Sequence, residues 1–146
     1  SEISGRGLRV STVKHAHHDT DVDQPGRDSH RHREAGAHEV MLASPRRWAL
    51  MAELRDAPEP ELDELLARMS PVDLVLIEGY KRSPHPKIEA HRAVTGKPLL
   101  AQENPTIRAI ASDTAPDSAL PCFDLDDTVG IADFILSEVG LAGEVS

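Results

Sequence analysis

The sequence is poor in cysteine, in aromatic residues and in long apolar runs. Of its 146 residues only one is cysteine, which excludes an internal disulfide and a zinc site built from several thiolates. Aromatic residues make up 3%, too few for the stacking surfaces that bind single-stranded nucleic acids. The longest apolar runs, such as residues 74–77, are far shorter than a bilayer span, and no basic start leads into an apolar stretch. These absences predict a cytoplasmic protein that binds neither membrane nor nucleic acid.

Charge is distributed unevenly along the chain. The formal net charge of −9 argues against non-specific binding to a phosphate backbone. Residues 1–50 contain eight Lys and Arg against seven Asp and Glu, whereas residues 51–146 contain eight against eighteen. Six of the eight histidines also lie between His15 and His38. This concentration of basic residues and histidines indicates that the amino-terminal third binds an anionic ligand. The alternative is chance clustering of these residues on a solvated face.

Strand and helix signals alternate along the chain. Strands are predicted at 8–13, 40–43, 74–77, 107–111 and 120–123, with a peripheral strand at 87–92, and helices at 58–69 and 126–139. Ser44-Pro45, an N-cap followed by proline at the first helical position, predicts a further helix that carries Trp48, Met51 and Leu54. Together these predict an α/β fold with a mostly parallel sheet, a single domain over residues 1–140 and a flexible tail at 141–146.

An acid at the end of a strand is the first candidate functional residue. The apolar run 74–77 predicts a buried strand, and it delivers Glu78 and Gly79 to the carboxyl end, where open α/β sheets bind ligands. A carboxylate there can hold Mg²⁺ or its water, and the glycine lets a phosphate approach the backbone. The alternative is a solvated glutamate followed by a turn glycine.

A histidine-rich loop after the first strand is the second candidate. Three histidines and three aspartates lie within residues 15–23, a composition that can bind a divalent metal. His15-x-His17-x-Asp19 also opens the metallo-hydrolase signature His-x-His-x-Asp-His, but Thr20 and not histidine completes the stretch that begins at His15. A metal-binding or hydrolytic domain that uses His15–His18 and Asp19 therefore stays open as an alternative, as does a polar loop with no ligand.

Several motifs in order carry a resemblance to a known family. They are Lys14-His15-x-His17-His18-Asp19-x-Asp21-x-Asp23-x-Pro25-Gly26-x-Asp28-Ser29, Arg33-x-x-Gly36-Ala37, Arg47-Trp48-Ala49-Leu50-Met51, Ile77-Glu78-Gly79-Tyr80-Lys81 and Ala111-Ser112-Asp113. This pattern resembles the MobB family, the molybdopterin-guanine dinucleotide biosynthesis adapter proteins, from about residue 5 to residue 134. The length of the first motif and its distance from Ile-Glu-Gly-Tyr-Lys make the resemblance specific.

The resemblance implies a P-loop NTPase-like, doubly wound α/β protein that binds GTP with Mg²⁺. It further implies a cytoplasmic homodimer with at most slow GTPase activity. Such a protein assists the guanylyltransferase that joins GMP to molybdopterin in molybdenum cofactor biosynthesis, and contact with molybdopterin itself is a further expectation.

One family feature is missing from residues 1–146. The family opens with a strand and a Gly-x-x-x-x-Gly-Lys-Thr loop, and no Gly-x-x-x-x-Gly-Lys-[Ser/Thr] occurs in this sequence. We therefore expect residues 1–146 to bind GTP weakly or not at all. Because the first strand and P-loop are absent from this sequence, we also expect strands 10–13 and 74–77 to expose apolar edges or to pair directly with each other, and we expect the chain to oligomerise.

The resemblance assigns roles to individual positions. Lys14 would neutralise phosphate charge, Gly79 would allow close approach, and Asp113 would accept hydrogen bonds from guanine. Arg33 would contact the anionic pterin or a partner, with an exposed helix position as the alternative. The expected Mg²⁺ or water ligands are three carboxylates: Asp19, Asp28 and Glu78. Glu78 is also the expected catalytic residue.

Overall fold

The structure, a computed structural model, describes residues 1–16 and 22–143. Contacts between residues divide the chain into two units. Unit 1 consists of Ser1–Val13 and Pro71–Ser146, and unit 2 consists of Lys14–Ser70. Unit 2 is therefore an insertion between the first strand of unit 1 and the rest of that unit.

The described residues form helices and strands in alternation. The α-helices are α1 (Glu2–Gly5), α2 (Asp28–Glu34), α3 (Leu62–Ala67) and α4 (Thr128–Glu138), and two short 3₁₀ helices cover Ala93–Thr95 and Leu100–Gln102. The strands are β1 (Val10–Lys14), β2 (Glu39–Ala43), β3 (Trp48–Ala52), β4 (Leu74–Glu78), β5 (Lys87–His91), β6 (Ile107–Ser112) and β7 (Cys122–Asp124). No helix in the described part of the chain is long and apolar enough to cross a membrane.

The strands β1 and β4 form a two-stranded sheet. Leu74 N donates to Arg9 O at 3.2 Å, and these residues stand at or just before the start of each strand, so the two strands begin side by side. We expected that strands 10–13 and 74–77 would either expose their edges or pair directly with each other, and the structure shows the direct pairing. It supplies hydrogen-bond partners to backbone groups that would otherwise face an open edge.

The strands β5, β6 and β7 form a parallel sheet with β6 in the centre. Five of the six β6 residues are buried, because a central strand of a parallel sheet is covered on both faces. Ile110 has no exposed surface and Ser112 has 2%. The prediction of a mixed α/β fold with parallel sheet is confirmed in this part of the molecule.

The helix α4 supplies much of the core of unit 1. Ala132 and Leu136 form a buried cluster with Ile3 of α1 and Leu74 of β4. The helix ends in a hydrogen-bonded C-cap, in which Leu141 N donates to Leu136 O at 2.8 Å and Gly140 takes the left-handed φ of 77°. Residues 144–146 of the expected tail lie outside the described residues.

The strands β2 and β3 of unit 2 form an antiparallel hairpin in which Val40 pairs with Met51 and Ala43 with Trp48. The prediction of a helix that begins at Pro45 and carries Trp48, Met51 and Leu54 is therefore wrong. Ser44 does not cap a helix: its N–H donates to Arg47 O at 2.9 Å and its Oγ also donates to that oxygen at 2.9 Å, which closes the hairpin turn. A Ser-Pro pair occurs both at the start of helices and in turns. Here the pairing of β2 with β3 makes it part of a turn.

The helix α3 is shorter than the predicted helix over residues 58–69. It covers Leu62–Ala67 and begins with a capping box in which Glu61 N donates to Glu64 Oε2 at 3.0 Å. Residues 58–61 are not helical, and Glu61 takes an extended conformation as the N-cap.

Candidate functional site

The carboxyl edge of the parallel sheet in unit 1 brings three strand ends together. His91 of β5 lies opposite Ser112 of β6, and Ser112 lies opposite Asp124 of β7. Asp113 follows directly. Because the carboxyl ends of parallel strands are the usual ligand edge in α/β proteins, this edge is the first candidate site.

Asp113 is exposed at this edge and oriented by one hydrogen bond. Its Oδ1 accepts from Ala93 N at 2.9 Å, which caps the 3₁₀ helix Ala93–Thr95. His91 braces the same segment, because its Nε2 lies 3.1 Å from Lys97 O and its Nδ1 lies 3.4 Å from Ser112 Oγ. Sequence reasoning named Asp113 and missed His91, although the position of His91 near the end of a predicted strand was a usable signal.

Glu78 ends β4 with an exposed side chain, and the backbone beyond it is left-handed. Gly79 has a φ of 96° and Tyr80 a φ of 49°, a region that costs a non-glycine residue on the order of 1 kcal/mol. The loop that follows reaches the start of β6, where Lys81 O accepts from Asn104 Nδ2 at 3.4 Å. This loop contacts the amino end of β6 and Asp113 follows its carboxyl end, so a ligand that touches both regions would have to be extended.

Lys14 and His15 stand where β1 leads into unit 2. Lys14 is the last residue of β1, and its side chain is exposed. His15 Nε2 lies 2.7 Å from Glu59 Oε1, so one ring nitrogen is engaged within unit 2. The roles of these residues toward phosphate or metal stay predictions.

Arg33 of α2 is the centre of an ion-pair network in unit 2. Its Nη2 lies 2.5 Å from Asp23 Oδ1 and its Nη1 lies 2.8 Å from Glu53 Oε1. The Arg33 and Asp23 side chains are 16% and 5% exposed, so the pair is largely withdrawn from water. Burial raises the pKa of the Asp23 carboxyl, but hydrogen bonds from Ser29 and Arg33 outweigh it, and the pKa lies below its ordinary value.

Asp28 is the first residue of α2 and borders a shallow cavity of about 310 Å³. Arg31 and His32 of the same helix and Ala35, its C-cap residue, also line it. Asp19, the other predicted metal ligand of unit 2, lies outside the described residues, as do His17 and His18. Among residues 1–16 and 22–143, no group of three or more His, Cys, Asp or Glu is placed to hold a metal ion.

These features define a class of protein: a mixed α/β protein whose parallel sheet presents acidic residues at its carboxyl edge. Comparison with known proteins narrows the class. The sequence profile of the family MobB, described as molybdopterin guanine dinucleotide synthesis protein B, matches residues 1–113. The chain belongs to this family, which confirms the resemblance drawn from the sequence motifs.

Two relatives are described as molybdopterin-guanine dinucleotide biosynthesis adapter proteins. The one from Escherichia coli (strain K12) is 40% identical over 137 residues, which cover 92% of this chain and 78% of the relative. The one from Haemophilus influenzae (strain ATCC 51907 / DSM 11121 / KW20 / Rd) is 39% identical over 137 residues, which cover 92% of this chain and 75% of the relative.

Solved structures show the same fold. A crystal structure of molybdopterin-guanine biosynthesis protein B (mobB) aligns with a TM-score of 0.72 at 28% identity, over 93% of this chain and 84% of that one. The crystal structure of Bacillus subtilis MobB aligns with a TM-score of 0.67 at 26% identity, over 92% and 82%.

Proposed function

We propose that this protein is a GTP-binding adapter in the biosynthesis of molybdopterin guanine dinucleotide, where it assists the guanylyltransferase. The observation that carries the proposal is the 40% identity, over 92% of the chain, to a protein described as the adapter of this biosynthesis. The proposal includes a P-loop NTPase-like fold, a cytoplasmic homodimer and at most slow GTP hydrolysis.

Asp113 supports the preference for guanine. Only Oδ1 takes part in the hydrogen bond with Ala93 N, and that bond fixes the orientation of an exposed carboxylate at the ligand edge of the sheet. A carboxylate can accept from both the N1–H and the N2–H donors of guanine, whereas adenine presents no such pair of donors. We therefore assign base recognition to Asp113.

Glu78 is the proposed Mg²⁺ residue of unit 1. Mg²⁺ prefers oxygen ligands, keeps several waters and needs only one or two carboxylates beside substrate phosphates, so a single strand-end glutamate fits it. When bound, the ion would neutralise the phosphate charge of the nucleotide. The chain supplies the carboxylate of Glu78 and, at Gly79, a left-handed backbone that carries no Cβ.

The metal-binding or hydrolytic alternative depends on residues 15–19. His15 is engaged with Glu59, and His17, His18 and Asp19 lie outside the described residues. No observation in the described part of the chain favours this function over nucleotide binding, and it stays a prediction.

Calorimetry and thermal shift test the proposal. Residues 1–146 and the longest form that the gene encodes are each titrated with GTP and with ATP in the presence of Mg²⁺. A form that carries a Gly-x-x-x-x-Gly-Lys-Thr loop should prefer GTP, and residues 1–146 alone should show no rise in melting temperature with GTP. Equal affinity for GTP and ATP would contradict the assignment of guanine recognition. A rise of several degrees for residues 1–146 would show that the loop is not needed.

A further inference from the structure

The loop between β4 and β5, residues 79–86, is a concentration of positive charge in an acidic unit; we call it the basic loop. Residues 71–146 contain six Lys and Arg against twelve Asp and Glu, and three of those six cations fall at positions 81–87. Lys81, Arg82 and His85 are exposed. Within the described residues the structure gives neither Lys81 nor Arg82 a carboxylate partner, so both charges face solvent.

The third cation, Lys87, donates hydrogen bonds to backbone carbonyls of the basic loop. Lys87 Nζ donates to Ser83 O, to His85 O at 2.9 Å and to Thr106 Oγ1 at 2.9 Å. Three acceptors match the three protons of an ammonium group. Partial burial lowers the pKa of Lys87.

Asn104 holds the other end of the loop and is joined to the same network. Asn104 Nδ2 donates to Lys81 O at 3.4 Å, and Asn104 Oδ1 accepts from Thr106 Oγ1 at 2.6 Å. Within the loop, Ser83 N donates to Tyr80 O at 2.9 Å. Four backbone carbonyls of the loop therefore accept hydrogen bonds from the protein.

These contacts decide what the exposed face of the loop offers to a ligand. A carbonyl oxygen repels an anion, and a carbonyl that already accepts a hydrogen bond has its partial negative charge balanced. Pro84 and Pro86 fix two further φ angles, so the loop loses little conformational freedom when it binds. The face that remains presents two adjacent cations on an ordered backbone.

We infer that the basic loop binds a phosphate group through Lys81 and Arg82, held in place by the Lys87–Thr106–Asn104 network. The guanidinium of Arg82 matches two phosphate oxygens, and the ammonium of Lys81 adds a second charge for a dianion. A nucleic acid is a poor alternative because the net charge of −9 opposes it. A nucleotide or another phosphate ester presents the same chemistry, and the inference does not depend on guanine recognition.

Inorganic pyrophosphate is the probe, titrated into residues 1–146 by calorimetry. The double variant Lys81→Ala/Arg82→Ala should bind pyrophosphate at least tenfold more weakly. The matched control is Arg46→Ala/Arg47→Ala, which removes an adjacent pair of exposed arginines from the hairpin turn of unit 2 and should change the affinity less than twofold. Failure of the natural sequence to bind millimolar pyrophosphate, or equal losses in the two double variants, would overturn the inference.

Two charge-neutral variants test the network separately from the cations. Thr106→Val removes the hydroxyl that links Lys87 to Asn104 and should weaken pyrophosphate binding several-fold, whereas Thr106→Ser should keep the affinity of the natural sequence. If Thr106→Val and Thr106→Ser bind pyrophosphate with equal affinity while circular dichroism shows that both are folded, the role of the network is refuted. Parallel titrations of the longest form that the gene encodes, with GTP and with GMP, identify the source of the phosphate. If that form binds pyrophosphate but not GTP, the proposed function is refuted and this inference stands.

Discussion

Asp113 accepts a hydrogen bond from Ala93 N and is proposed to recognise guanine, and two substitutions separate these two roles. Asp113→Ala removes both the cap on Ala93 N, at 2.9 Å, and the carboxylate proposed to recognise guanine. Asp113→Asn keeps an oxygen that can accept from Ala93 N but loses the charge and replaces the second acceptor with a donor. The alanine variant should therefore lose stability and base recognition, and the asparagine variant should lose mainly recognition.

The magnitudes follow from the two kinds of hydrogen bond. Loss of an exposed cap costs about 0.5–2 kcal/mol, which corresponds to a few degrees in melting temperature for Asp113→Ala. Loss of hydrogen bonds to a charged group costs about 1.5–3 kcal/mol, so both variants should bind GTP roughly 10- to 150-fold more weakly. Affinity for ATP should not change.

Calorimetry on a form of the protein that binds GTP measures the second effect, and thermal unfolding measures the first. Unchanged GTP affinity in Asp113→Asn would refute base recognition by this carboxylate. If Asp113→Asn melts as low as Asp113→Ala, the cap on the 3₁₀ helix needs the charge, and the separation of the two tasks fails.

Four further predictions concern other parts of the chain. Glu78→Gln should reduce Mg²⁺-dependent GTP hydrolysis at least tenfold while Glu103→Gln, an exposed acid of the same unit, does not; an unchanged rate would make Glu78 a solvated strand end. Leu136→Ala should cost about 2–5 kcal/mol in urea unfolding because Leu136 is 2% exposed, whereas Val129→Ala on the same helix, 52% exposed, should cost little. The lowered pKa of Asp23 contributes stability that is fully present above pH 3.8, the ordinary pKa of the group, and is lost as pH falls from 3.8 through the lower folded pKa, so Asp23→Asn should flatten the loss of stability below about pH 4. Light scattering should give at least twice the mass of one chain, and a monomer would contradict the proposed homodimer.

The parts of the fold that the sequence predicted well are those with a strong local signal. The apolar run 74–77 and the stretch 107–111 correspond to β4 and β6, and the expected closing helix is α4. Burial on both faces of a strand needs an uninterrupted apolar run, and this pattern can be recognised without knowledge of the neighbours.

The hairpin β2–β3 shows why other parts were not predictable. Trp48 and Leu54, two of the three residues of the predicted helical stripe, are 69% and 41% exposed, so their spacing did not reflect a buried helical face. Helical spacing and strand alternation share positions over a short window, and the choice was made by pairing between Val40 and Met51 across the turn. A non-local contact of this kind has no signature within the segment itself.

The candidate site was predictable as a set of residues and not as an arrangement. Glu78 and Asp113 both end apolar strands, which is a local feature. The contact of Lys81 with Asn104, which places the loop after Glu78 at the start of β6, depends on the order of strands in space. The capping of Ala93 by Asp113 likewise depends on a partner 20 residues away in sequence.

The division of unit 1 into two chain segments has a consequence for synthesis on the ribosome. Arg6 of the first segment pairs with Asp133 of α4, with Nη1 and Oδ1 2.5 Å apart, across 127 positions of sequence. At roughly 5–20 residues per second, about 6–25 s pass between translation of the two partners. Unit 2 is one continuous segment of chain and is synthesised completely within that interval. The strand β1 can pair only after β4 has been synthesised, and α1 can pack against α4 only later still. The apolar side chains of α1 therefore stay without their partners on α4 throughout that interval, in which a factor that shields nascent chains could bind them.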